Sequence, residues 1–201
     1  RTATQLGYPS KPQDYAAWIG HSSMRLSEWL IERVNPRVTA EEILRIEQGA
    51  FEEILRTEKP PPLPGVAEMI GLCDQADLRR GLVSSSVYAQ VRMTMQVVLE
   101  HLHRAAELET TFQAVTTGDR VKRLKPAPDP YLQNAAALGL APEECLAFED
   151  SPAGVASARA AGCRVVAIPN CYLDRAEVAR EAHADFKTLK DAFAARVWES
   201  F

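Results

Sequence analysis

The stretch CLAFEDSPAGVASARAAG, residues 145–162, is the part of this sequence that most directly indicates the fold. A short apolar run ends in two adjacent acids, Glu149 and Asp150, and a Ser-Pro turn then opens a run of small residues with helical character. Such a run followed at once by a helix is typical of a buried strand and its crossover helix in a parallel sheet. The sequence therefore predicts a βα unit whose strand ends in two carboxylates.

The same alternation of strand and helix continues on both sides of this stretch. Apolar runs predict further strands in GLVSSS (81–86), FQAVTTGD (112–119) and CRVVAIPN (163–170), and a short one near 184–186. Helical patterns separate them at 66–76, 87–102, 129–139 (with Asp129 as its cap), 173–182 and 188–197. Alternation of this kind predicts an α/β fold, a Rossmann-like parallel sheet core with helices on both faces.

The first part of the chain shows helical patterns only. Residues 10–20 and 22–34 have helical spacing, and Thr39 with Glu42 forms a capping box at the start of a third helix. The segment KPPPLPG, residues 59–65, contains four prolines, which stop a helix and stiffen a connector. The sequence predicts a small all-helical cap domain at 1–58, a hinge at 59–65 and an α/β core domain at 66–201.

Composition excludes several classes of function. The chain of 201 residues has 23 basic and 27 acidic side chains and a net charge of -4, which gives no support for a nucleic-acid surface. No apolar run approaches the length of a membrane span. Four cysteines show no C-x-x-C spacing, and Cys145 and Cys163 stand in apolar runs as core residues do. We expect a reduced cytoplasmic protein that is a monomer and binds neither nucleic acid nor membrane.

Polar side chains stand where the predicted strands end, which is the edge where ligands bind in such sheets. The first strand ends in serines at 84–86, the loop after the second carries Lys125, and the third ends in Glu149 and Asp150. Two carboxylates suit a hard cation such as Mg²⁺, and hydroxyls, helix-start amides and a lysine suit phosphate. Taken singly, these residues also fit helix caps and a solvated lysine; together they indicate phosphoryl transfer.

These segments resemble motifs of a known family. SSS after a strand, then KPAPDPYL, FEDSPAGVASARAAG and VVAIPN, resemble the second, third and fourth motifs of the haloacid dehalogenase superfamily. The match runs over residues 65–170 and is most similar to the branch of β-phosphoglucomutase-like and phosphoglycolate-phosphatase-like enzymes. Residues 1–58 resemble, more loosely, the helical cap of that branch.

The resemblance implies a role for each matching residue. Ser84, helped by the amide of Ser85, would bind the transferring phosphoryl group, and Lys125 would balance charge there. Asp150 would bind Mg²⁺, and Glu149 would do so directly or through water. The expected partner is a small phosphorylated metabolite, such as a sugar phosphate or a phosphoglycolate-like compound.

The segment GHSS, residues 20–23, resembles the loop of the cap that faces the core in relatives. His21 and Ser22 are therefore candidate substrate-binding residues, although a solvated helix start capped by Ser22 or Ser23 fits the same letters. Mutase-like relatives carry an arginine where this chain has Ser23. That difference favours a phosphatase over a phosphomutase.

The first motif of the family, a strand ending in D-x-D that carries the nucleophile and the acid/base, has no match in the chain. We expect the native chain to extend upstream of Arg1 and to supply this strand, so that an aspartyl-phosphate forms on it. Without it, the 201 residues alone would be inactive. Two alternatives stay open, a β-phosphoglucomutase-type sugar phosphomutase and a non-catalytic relative that lacks D-x-D.

Overall fold

The computed structural model of the protein describes residues 2–11, 14, 23–34, 38–104 and 108–200. Its first part contains helices α1 (Thr2–Gln5), α2 (Ser23–Ile31) and α3 (Ala40–Thr57). Of the helix predicted over residues 10–20, only residues 10, 11 and 14 are described, and the candidate residues His21 and Ser22 lie outside the described residues.

Helix α3 begins with the capping box that the sequence predicts. The backbone amide of Glu42 donates to Thr39 Oγ1 at 3.2 Å, and the amide of Thr39 donates to the Glu42 carboxylate at 2.9 Å. The helix buries Ile43, Ala50 and Leu55. One apolar face of an otherwise polar helix is therefore packed, as its spacing indicates.

After residue 65 the chain alternates between strands and helices, as predicted. The strands are β1 (Gly81–Val83), β2 (Ala114–Thr116), β3 (Leu146–Glu149), β4 (Arg164–Ala167) and β5 (Ala184–Asp185). The helices are α4 (Val66–Gln75), α5 (Tyr88–His101), α6 (Leu108–Thr111), α7 (Asp129–Leu138), α8 (Pro152–Ala161), α9 (Arg175–Ala179) and α10 (Leu189–Ala194). Short 3₁₀ turns lie between these elements at Gly118–Arg120 and Pro142–Glu144 and after the last of them at Val197–Ser200.

The strands pair in parallel and form two groups. One has the order β1-β2, and the other has the order β3-β4-β5. In the larger group Phe148 of β3 is in register with Val166 of β4, which is in turn in register with Ala184 of β5. The parallel sheet of the predicted fold class is confirmed.

Helices cover both faces of the three-stranded group. Val165 and Ala167 of β4 pack with α8 residues such as Val155, whereas Val166 packs with Ala192 of α10 on the other face. These three β4 residues are completely buried. Burial on both faces explains why β4 reads as an unbroken apolar run rather than an alternating one.

A gap separates β1 from β3, since in the described part of the chain each of them pairs on one side only. A cleft of about 650 Å³ lies there, lined in part by Gly81 and Val83 of β1 and by Leu146, Ala147 and Phe148 of β3. The cleft is thus bounded by two strand edges and by apolar side chains.

The connector at 59–65 forms neither helix nor strand. Its last residue, Gly65, has φ of 98°, and a Cβ there would overlap the backbone of Leu189 and Lys190. The amide of Lys190 also donates to the carbonyl of Pro64 at 3.1 Å. The connector therefore ends against α10, while the division into three segments at 58 and 65 stays a prediction.

Some local predictions were wrong in detail. Asp129 is the first residue of α7 rather than its cap, and its carboxylate instead pairs with Arg123 at 2.8 Å. Helices α9 and α10 are shorter than predicted. Cys163 is buried as expected, and Cys145 is half-buried. Among the described helices, none combines the length and the apolar character that crossing a membrane requires.

Candidate active site

Lys125 lies at the mouth of the gap and joins the carboxyl ends of the two strands that border it. Its ammonium donates to the carbonyl of Val83, the last residue of β1, at 3.3 Å. It also forms an ion pair with Glu149, the last residue of β3. The Lys125 side chain is only 8% exposed, so this is a buried charge with a buried partner, as buried charges require.

The Glu149 carboxylate is held by two donors on the same oxygen. Oε1 accepts from Lys125 Nζ and from the hydroxyl of Tyr131 on α7. The other oxygen, Oε2, lies 3.3 Å from the backbone amide of Asp150. Glu149 is 7% exposed, so its orientation is fixed by the protein rather than by solvent.

The first turn of α8 makes room for this carboxylate. Ser151 caps the helix by accepting from the amide of Gly154 at 3.2 Å. A Cβ on Gly154 would overlap both carboxylate oxygens of Glu149. The glycine in EDSPAG is therefore required by the close approach of a side chain, not by a special backbone angle.

Asp150 differs from its neighbour because its side chain is exposed. Its carboxylate accepts from Asn170 Nδ2, in the loop after β4, at 3.3 Å. Asp150 thus stands at the carboxyl edge of the sheet between the ends of β3 and β4. It is available to a ligand from the solvent side.

The donor set suits a hard divalent cation. No cluster of three or more His, Cys, Asp or Glu side chains able to hold a metal occurs among the described residues. Mg²⁺ commonly uses only one or two protein carboxylates and completes its shell with water and phosphate oxygens. Asp150, together with Oε2 of Glu149 directly or through water, fits that pattern.

The serines after β1 are held by backbone hydrogen bonds to the β2 loop. Ser84 N donates to the carbonyl of Thr116 at 2.9 Å, and Ser84 Oγ accepts from Ser86 N at 3.1 Å. Gly118 N donates to the carbonyl of Ser86 at 2.9 Å. Ser84 directly follows Val83, which contacts Lys125. The structure thus brings the predicted residues Ser84, Lys125, Glu149 and Asp150 to one edge of the sheet.

Tyr131 also lies at this edge, and the sequence does not indicate its role. Its side chain is buried, and burial, followed by the Glu149 carboxylate, raises its pKa well above the ordinary value. The phenol is therefore a permanent hydrogen-bond donor at physiological pH. The sequence places Tyr131 on the apolar face of α7. There it cannot be distinguished from an ordinary aromatic residue of the core.

A family model described as a haloacid dehalogenase-like hydrolase matches residues 2–162. Protein CbbY of Rhodobacter capsulatus is 41% identical over 122 residues, 61% of this chain and 52% of that protein. Fructose-1-phosphate phosphatase YqaB of Escherichia coli (strain K12) is 30% identical over 164 residues, 80% of this chain and 81% of that protein. The chain spans about half the length of several curated relatives that it matches.

The same architecture occurs in a solved structure. The crystal structure of CbbY from Rhodobacter sphaeroides in complex with phosphate superimposes with a TM-score of 0.81, covering 95% of this chain and 85% of that chain. Sequence identity is 22%. This similarity shows the fold alone.

Proposed function

The chain belongs to the haloacid dehalogenase-like hydrolase family, as its motifs predicted, and from this premise we propose that it acts as a Mg²⁺-dependent phosphatase of a small phosphorylated metabolite. The observation that carries the proposal is the junction made by Lys125 with the ends of β1 and β3. An ammonium, a buried carboxylate, an exposed carboxylate and a serine turn meet there at the ligand-binding edge of a parallel sheet.

Each residue at the junction has a task in this proposal. Ser84 and the amide of Ser85 bind the oxygens of the phosphoryl group, and Lys125 offsets negative charge beside it. Asp150 and Glu149 hold the Mg²⁺, which, when bound, neutralises charge that develops on the phosphoryl oxygens. His21 and Ser22 are proposed to contact the rest of the substrate.

The nucleophile is proposed to be an aspartate on a strand outside residues 1–201, and that strand is proposed to occupy the gap between β1 and β3. The cleft of about 650 Å³ between two strand edges supports this placement. An aspartate at the end of such a strand would stand beside the Lys125 ammonium. Its oxygen attacks phosphorus as the bond to the ester oxygen breaks, and the second aspartate of D-x-D gives a proton to that leaving oxygen. Water, giving its proton back to the same aspartate, then hydrolyses the aspartyl-phosphate.

The proposed substrate class is a sugar phosphate. Support comes from a relative that matches most of this chain and is named as a fructose-1-phosphate phosphatase. A phosphoglycolate-like compound is retained as the alternative substrate. We continue to expect a protein that is monomeric and located in the cytoplasm.

The test is phosphate release by the full-length protein from a panel of esters, namely fructose 1-phosphate, glucose 1-phosphate, phosphoglycolate and p-nitrophenyl phosphate. We expect release with Mg²⁺ and none with excess EDTA, and a sugar phosphate as the best substrate. Conversion of glucose 1-phosphate into glucose 6-phosphate without phosphate release would identify a mutase instead. No turnover of any ester, together with a full reading frame that lacks D-x-D, would indicate a non-catalytic relative.

A further inference from the structure

Tyr131 is a core residue with one polar atom, and that atom makes a specific contact. The ring packs with Val155, Ala158 and Cys163 in the layer between the sheet and its helices. Only 8% of the residue is exposed. The hydroxyl donates to Oε1 of Glu149, because a carboxylate can only accept.

The contact determines which way the Glu149 carboxylate faces. Lys125 Nζ and Tyr131 Oη both donate to Oε1, so that oxygen faces these two buried side chains. Oε2 then lies on the side of Asp150 and the start of α8. Lys125 shares its ammonium with the carbonyl of Val83, and the Asp150 amide lies 3.3 Å from Oε2. The Tyr131 hydroxyl is therefore the side-chain donor that contacts only the Glu149 carboxylate.

We propose that Tyr131 is a positioning residue, whose hydrogen bond to Oε1 of Glu149 turns Oε2 toward the Asp150 side, where the divalent cation binds. The inference rests on the proposed function in one respect, the presence of that cation site. Hydrogen bonds to ligand carboxylates commonly govern metal affinity, and removing such a partner costs about 10–100-fold.

The test is the Mg²⁺ affinity of full-length Tyr131→Phe, measured by calorimetry and by the rise of Tm with Mg²⁺ concentration. Phe keeps the buried ring and removes only the hydroxyl. We expect Mg²⁺ to bind about 10–100-fold more weakly, with an unchanged KM for the phosphate ester at saturating Mg²⁺. A merely structural role would instead lower Tm in the absence of metal and leave the Mg²⁺ affinity as it is.

Tyr88→Phe is the matched control, because Tyr88 also donates its hydroxyl to a carboxylate, but to that of Glu109, which has no part in the proposed site, and at a more exposed position. Its Mg²⁺ affinity is expected to equal that of the parent. A second comparison uses Glu149→Gln: if Tyr131 acts through Glu149, adding Tyr131→Phe to that variant should weaken Mg²⁺ binding no further.

A measurement on the unmutated protein keeps the proposal testable if Tyr131→Phe does not fold. In protein with ¹³C at the tyrosine Cζ, adding Mg²⁺ should shift the Tyr131 resonance and leave those of Tyr8 and Tyr88 in place. An unmoved Tyr131 resonance, or equal Mg²⁺ affinity in Tyr131→Phe and the parent, would overturn this inference alone. If the parent binds no Mg²⁺, the proposed metal site fails, and this inference fails with it.

Discussion

Glu149 and Asp150 are adjacent in the chain and differ in almost every physical respect. Glu149 is buried and bonded to Lys125 and Tyr131, whereas Asp150 is exposed and bonded to Asn170. A buried carboxylate paired with a buried ammonium contributes to the integrity of the folded chain. An exposed carboxylate at the sheet edge is free to serve a ligand. Both residues are proposed to hold the cation, and Glu149 in addition carries a buried ion pair with Lys125.

This difference in burial predicts different effects on stability for two isosteric substitutions in the full-length protein. Asp150→Asn should leave the free energy of unfolding within about 0.5 kcal/mol of the parent and severely reduce Mg²⁺ affinity and activity. Glu149→Gln should cost about 3 kcal/mol, because it leaves the Lys125 ammonium buried without its counter-charge. Urea unfolding without metal and Mg²⁺ titration measure the two effects. Full activity in Asp150→Asn would end its assignment to the metal.

Gly154 gives a second residue-level prediction, because its missing side chain is the space that the Glu149 carboxylate fills. Gly154→Ala should lower the free energy of unfolding by about 1–3 kcal/mol, the usual cost of overpacking. Gly71→Ala is the matched control, since Gly71 also lies inside a helix but has open space around its Cβ position. The control should gain up to about 1 kcal/mol from helix propensity. Equal stability of the two variants would show that the carboxylate moves aside freely.

At the scale of elements, one acidic side chain ties α4 to the start of β1 and the end of α5. Asp74, near the end of α4, pairs with Arg80 just before β1 and with Arg104 just after α5, the latter at 2.7 Å. Hydrogen bonds from Arg104 and Arg80 lower the Asp74 pKa to about 2. Arg80 also donates to the carbonyl of Ile70 at 3.2 Å. The edge strand β1 is thus anchored through charge as well as packing.

The lowered pKa of Asp74 predicts a pH dependence of stability. Its folded-state pKa lies below the unfolded value, so the stabilisation is present above about pH 4 and is lost as pH falls toward 2. Asp74→Asn should therefore lower stability at pH 7, by about 1 kcal/mol or less because the carboxylate is 37% exposed. The difference from the parent should shrink between pH 4 and pH 2. Denaturant unfolding at a series of pH values measures it, and a constant difference would contradict the assignment.

At the scale of the whole molecule, the gap between β1 and β3 divides the sheet. The backbone hydrogen bonds show which groups face this gap. Ile168 N donates to the carbonyl of Glu149, and Arg164 N to that of Cys145, so odd-numbered residues of β3 face β4. The alternation of a parallel strand then directs the backbone groups of Leu146 and Phe148 into the gap. By the same reasoning Gly81 and Val83 of β1 face it, and the carbonyl of Val83 meets Lys125 there. Two rows of backbone donors and acceptors border the cleft.

If a further strand fills the gap, its hydrogen bonds should protect those groups. In the full-length protein, we expect the amides of Leu146, Phe148 and Val83 to exchange with solvent as slowly as that of Val166, which lies in the centre of the three-stranded group. Hydrogen exchange followed by NMR measures this directly. Rapid exchange at the three gap-side amides, with Val166 protected, would mean that no strand lies between β1 and β3.

The sequence by itself determined the α/β alternation, the α3 capping box and the gathering of Ser84, Lys125, Glu149 and Asp150 at one edge. These follow from local periodicity and from a rule of topology, because parallel strands bring their carboxyl ends to the same side of the sheet. Signals of that kind lie within a few residues of one another. They are therefore readable without coordinates.

Only the tertiary structure decided which of these residues touch, and how. Tyr131 and Glu149 are 18 residues apart, and Asp74 and Arg104 are 30 apart, and no local pattern pairs them. The residues around Asp129 predict a helix cap, yet its carboxylate pairs with Arg123. The different burial of Glu149 and Asp150 likewise depends on how α7 and α8 close over the strand end. Contacts between distant segments are set by the packing of whole helices and strands. Patterns within a few neighbouring residues do not determine that packing.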